Sequence, residues 1–152
     1  MSSVLGFNGF VNIAVRIVTE KYPSAKLYEA DGTASGGPTT DPQKINQLRV
    51  VFQNANNSTV TITSTEWGTF GEPVLIHGPW TEDVVIQWPV KMDLDEANAL
   101  KVKAGYTQAY GTVTLRNPLG PVKNNPYFIF GGNPSKPYVF VDTVTGKVHE
   151  GN

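Results

Sequence analysis

The chain has 152 residues, with 12 Lys and Arg against 13 Asp and Glu for a formal net charge of −1, 11% aromatic residues and no cysteine. That length is enough to bury a core and predicts one domain, or two small halves packed as one. The charge balance excludes the basic face that nucleic acid or an anionic membrane surface requires. The lack of cysteine excludes disulfides, thiolate metal sites and cysteine nucleophiles.

From Phe10 to Tyr22, apolar residues at 10, 11, 14, 17, 18 and 22 follow one helical face, with Asn8 or Gly9 as cap and Pro23 as stop. The same stretch holds Val11, Ile13, Val15 and Ile17 at period two, so a strand competes on propensity alone. No basic leader precedes it, and Asn8, Asn12 and Arg16 break its apolar run. It is expected to be mature structure in a soluble protein, cytoplasmic or secreted after loss of a leader. No stretch approaches the roughly 18 apolar residues of a membrane helix.

Residues 25–30 read as a strand, and Asp31-Gly32 opens a polar loop through Lys44. Residues 47–53 and 59–65 read as a hairpin whose turn carries two glycosylation-type triplets, at Asn56 and Asn57, expected to serve as turn residues. Residues 66–92 differ in texture, holding Trp67, Trp80 and Trp88 and prolines at 73, 79 and 89 that limit strands to short or edge pieces. Asp93 with Glu96 three residues on predicts a capping box for a helix over 94–104 closed by Gly105. Strands follow at 110–116, 127–130 and 138–142. The last pair flanks a turn cluster from Gly131 to Ser135, and a tight turn from Asp142 to Lys147 uses Asp142 as acceptor and Gly146 for positive φ.

Overlaying Tyr22 on Tyr106 and Phe10 on Leu94, then Phe52 on Phe130 and Ile62 on Phe140, suggests an internal repeat and decides the first segment for helix. The expected fold is therefore α+β: two αβββ units, each a helix on a three-stranded antiparallel sheet, packed side by side or face to face. The expected division is 1–65, a connector at 66–92, and 93–152.

The acidic-capped, Ala-rich helix in residues 93–107 and the terminal strand and turn, with Val141, Asp142, Thr145, Gly146 and Val148, resemble the PepSY domain over about sixty residues. The first half has Ser64-Thr65-Glu66-Trp67-Gly68 where that turn would fall and matches only in order of elements. The resemblance implies a non-catalytic module that binds or restrains a protein partner, including a protease. Gly78-Pro79-Trp80 is similar to the Pro-Trp hairpin of cystatin inhibitors, but Gln47-Leu48-Arg49-Val50-Val51 lacks the supporting Gln-x-Val-x-Gly pattern.

Little in the sequence points to chemistry. His77 and His149 lack carboxylates at ligand spacing, no Gly-x-Ser-x-Gly occurs, and a helix cap accounts for Asp93, Asp95 and Glu96. No catalytic residue, cofactor or metal is expected. The candidate binding residues are Trp67, Phe70, His77, Trp80 and Trp88, either plugs in the core or the lining of a groove. The partner is expected to be a protein or, through the tryptophans, a carbohydrate; a homodimer is compatible with either.

Overall fold

In the computed structural model, residues 5–81, 83–119, 124–133 and 136–151 are described. Pro134 and Ser135 of the expected turn cluster, and four residues of the loop before β8, lie outside them. Helix α1 spans Phe7–Lys21 and buries Phe7, Phe10, Val11, Ala14 and Val18. The helical reading of this segment thus holds, starting three residues before Phe10. Strands β1 (Lys26–Thr33), β2 (Gln47–Asn54) and β3 (Ser58–Glu66) follow, then β4 (Thr69–Phe70), β5 (Val74–His77) and β6 (Asp83–Val84) within the connector. Helix α2 (Leu94–Lys103) precedes β7 (Thr112–Pro118), β8 (Tyr127–Gly131), β9 (Tyr138–Asp142) and β10 (Val148–Gly151).

The expected pair of αβββ units, each a helix on its own three-stranded sheet, is overturned. Among the described residues the strands form one ten-stranded antiparallel sheet in the order β10-β9-β8-β7-β1-β2-β3-β4, with β5 on β3 and β6 on β7, and only two short α-helices and one 3-10 turn at Pro42–Lys44 accompany it. The physical reason lies in β1. It does not stop at Ala30 but runs through Asp31-Gly32 to Thr33, and its second edge pairs with β7 from Glu29↔Arg116 to Thr33↔Thr112. An open strand edge satisfies its backbone groups by pairing, and here the would-be boundary is such a pair.

One face of the sheet carries the apolar set. Leu48, Val50 and Phe52 of β2, Val60 and Ile62 of β3, Val113 and Leu115 of β7 and Phe128 and Phe130 of β8 are all buried with the α1 face in one cluster. The N-termini of the two helices are tied together: the Asp93 carboxylate accepts from Leu94 N at 2.7 Å and from Asn8 N at 3.0 Å. One side chain therefore caps both. Asn8 completes the tie by donating through Nδ2 to Val90 O and Met92 O. Its expected role as cap of its own helix passes to Gly6, which makes no side-chain cap bond.

The turn after β9 forms as its residues dictate. Asp142 accepts from Val144 N at 2.8 Å, Thr145 N at 3.1 Å and Asn125 Nδ2, while Gly146 takes φ 76°. Burial alone would raise the Asp142 carboxyl, but these hydrogen bonds outweigh it and hold the group below its ordinary value. The turn launches β10, so His149 lies in a paired strand and stacks on Phe140 at 5.2 Å.

Asp142→Ala leaves three donors unmatched at a buried site and is expected to cost about 2–3 kcal/mol. Gly146→Ala, which strains a left-handed position, is expected to cost about 1 kcal/mol. Urea unfolding of the two variants checks both. The Asp142 contribution should be complete above its unfolded pKa and fade as pH falls through the lower folded value.

Candidate functional site

The connector is pinned to the sheet at three places. β4 pairs with the end of β3 (Ser64↔Phe70), β5 with its start (Ser58↔His77 to Thr61↔Val74), and β6 with the end of β7 (Val84↔Asn117). Pro73, Pro79 and Pro89 all fall outside these strands, which explains why each is only two to four residues long. Beyond β6 the chain first meets β1, with Ile86 N donating to Leu27 O, and then reaches α1 through Trp88 and Val90.

The five candidate residues do not converge on one groove. Trp67 and Phe70 come together over Phe10, with ring centroids 4.6 Å and 4.3 Å away, and Trp67 Nε1 donates to Leu5 O. Trp88 packs against the core and donates through Nε1 to Asn12 Oδ1 on α1. Trp80 is half-buried and donates to Asp83 Oδ2 at 2.7 Å. His77 is exposed at the end of β5, opposite Ser58. Each indole N–H is thus committed within the protein, and the rings act mainly as anchors.

What the connector presents outward is aliphatic. Val74, Leu75 and Ile76 of β5 are 55%, 39% and 50% exposed. Register places Val74 and Ile76 on the face of Thr61 and Thr59, and Leu75 on the face of Val60. The outer edge of β5 carries no further strand among the described residues.

A buried polar cluster lies on the sheet face opposite the helices. Glu29 is 5% exposed and pairs across the sheet with Arg116, while Arg49 donates to Asp31 at 2.9 Å and stands 3.8 Å from Glu29. Arg116 Nε sits 2.7 Å from Asp83, the same carboxylate that holds Trp80. Burial, followed by hydrogen bonds and charge from Asp31 and Asp83, pushes Glu29 from 4.5 up to about 10. A shift in this direction favours the protonated carboxyl, which can share its proton with the Asp31 and Asp83 carboxyl groups beside it. The cluster fixes β6 and Trp80 and so anchors the connector. The sequence carried one signal of it, two acidic residues alternating along β1, which reads equally well as a solvated face.

A second unforeseen group is Lys101. It is buried on α2 and donates through Nζ to Tyr106 O and Gln108 O, with the Tyr110 ring 5.1 Å away. Its ammonium closes the chain that follows the helix. Burial lowers its pKa.

No family model and no curated protein matches the chain. Among solved structures, it is similar to a protein of Clostridium difficile 630 described as a candidate lipoprotein, with a TM-score of 0.62, 12% identity, and coverage of 97% of this chain and 100% of that one. The likeness shows the fold alone. It extends over nearly the whole chain.

Glu29 sets a pH dependence. The folded protein keeps a proton that the unfolded chain loses above pH 4.5, so stability falls as pH rises from there toward about 10. The slope is at most about 1.4 kcal/mol per pH unit. Glu29→Gln keeps the donor without the titration. Its stability relative to wild type is expected to increase steadily from about pH 5 to about pH 9 in denaturant titrations.

Proposed function

We propose that the protein is a non-catalytic binding module whose partner is another protein, added as an extended strand along β5. The observation that carries this reading is the outer edge of β5: three consecutive exposed aliphatic residues on a strand with one side unpaired. Natural sheets protect such edges with charge, proline or a bulge, and between Val74 and His77 there is none of these. Pro73 and Pro79 stand just outside and confine the free edge to a few residues. A partner strand would gain main-chain hydrogen bonds from the edge and selectivity from the Val74–Ile76 and Leu75 sides.

The narrower reading, a protease as partner, rests on the PepSY resemblance of residues 93–152. The same edge suits it, since a cleft that holds extended substrates pairs with extended backbone. A carbohydrate held on Trp67, Trp80 and Trp88 has less support, because all three indole N–H groups are committed internally.

The test combines a displayed library of extended peptides with a protease-inhibition panel, each run with wild type and with Val74→Lys/Ile76→Lys. Selected peptides should perturb the backbone amides of Val74–His77. The double variant should lose about tenfold or more in affinity or inhibition, with its melting temperature nearly unchanged because both positions are exposed. Binding that maps elsewhere, or that the double variant retains, would overturn the reading; a glycan-array signal abolished by Trp80→Ala would favour the carbohydrate instead.

A further inference from the structure

A cavity of about 780 Å³ opens where the connector returns from β6 towards the helices. Its walls come from Val84, Val85, Pro89 and Val90 on one side and from Pro126 and Val144 on the other. That volume lies within the range of small-molecule sites. Gln87, Asn124, Asn125 and Thr143 also line it, and two further polar groups give it direction.

The first is Asn117, which is 6% exposed. It follows Val113 and Leu115 at period two on the face that carries the core, so an apolar residue would satisfy packing there. Its Nδ2 donates to Asn124 Oδ1 at 2.9 Å, whereas its Oδ1 is buried with no hydrogen-bond partner among the described residues. An unpaired buried amide oxygen is costly, and replacement by an apolar residue of similar shape would relieve that cost. The second is Lys91, an exposed cation on the cavity wall with no ion pair among the described residues.

We infer that this cavity is a binding site for an amide-bearing carboxylic acid with an apolar side chain, either a free N-acyl amino acid or the last residue of a peptide. The amide of such a molecule meets the carboxamide of Asn117, and because it offers both a donor and an acceptor it pairs with either orientation of that side chain. Its side chain lies against the valine and proline walls, and its carboxylate meets Lys91. The site is separate from the β5 edge and stands or falls independently of strand addition.

The probes are N-acetyl-L-leucine, its methyl ester, and a short peptide ending in leucine with a free carboxylate. They are titrated into the isotope-labelled full chain and followed by amide NMR at millimolar concentration. Saturable shifts at the Asn117 side-chain amide and along Val84–Lys91 are expected, with the ester and the Lys91→Ala variant each binding the charge-dependent way: the ester weakly to wild type, and the variant no longer distinguishing ester from acid. Asn117→Leu should weaken binding about tenfold or more while leaving thermal stability equal or higher. A merely structural asparagine would not separate those two readouts. Tighter binding of N-acetyl-L-leucine assigns a small-molecule source, and tighter binding of the peptide assigns a chain end. No saturable shift with any probe, or equal binding by Asn117→Leu, would overturn the site.

Discussion

The antiparallel pairing of β1 with β7 is the constraint on which the rest depends, and Gly32 is its narrowest point. A Cβ on Gly32 would stand 2.7 Å from Ile45 Cγ2 and 2.9 Å from Phe7 Cε2. The missing side chain therefore lets the first turn of α1 and the segment before β2 settle directly over the seam. Phe7 then reaches across to Phe128 of β8, edge to face at 5.5 Å. Once α1 lies over that seam, its N-terminus is close enough to Asp93 for a single carboxylate to serve both helices.

With β1 occupied on both sides, the free edges are pushed outward to β10 and to the β3 side. β3 is nine residues long, and its two later partners are short: β4 covers its end and β5 its start. The connector therefore caps one edge in two pieces and leaves β5 as the new edge. The polar cluster of Glu29, Asp83 and Arg116 fixes the next part of the connector, which bounds how far β5 can move away from β3. Anchoring by buried charge is costly when one partner is lost, so this cluster suits a fixed support better than a moving part.

Legibility followed locality. The Asp142–Gly146 turn, the Asn56-Asn57 turn with φ of 63° and 56°, and the start of α2 are decided by neighbouring residues and could be read from the chain. Gly32 misled because Asp-Gly ordinarily marks a turn, whereas here the glycine serves a close approach inside a strand. β10 was missed because Val148-His149-Glu150-Gly151 has no apolar alternation, as befits an exposed edge. The β1–β7 partnership joins residues 79 to 87 positions apart, and no pattern within either strand names its mate. Lys101 sits at helical spacing from Leu94 and Ala97 and could have been flagged as a cation on an apolar stripe, but its acceptors, Tyr106 O and Gln108 O, are backbone groups with no residue signature.

The connector holds two kinds of residue, those that fasten it and those it leaves to solvent. Tryptophan draws attention because it is enriched in binding hot spots, yet its large apolar body and single N–H also make it suited to fastening an irregular segment, one ring and one acceptor at a time. Leu5 O, Asp83 Oδ2 and Asn12 Oδ1 supply three such acceptors on three different parts of the molecule. With its rings turned inward, the connector shows solvent the residues that fastening did not use. Those are Val74, Leu75 and Ile76, β-formers with no polar handle, held in extended form by β3 on one side and left without a strand on the other. An aliphatic strand held rigid at a sheet edge loses little conformational freedom when a second strand is added, which is the condition under which a short row of main-chain hydrogen bonds yields useful affinity.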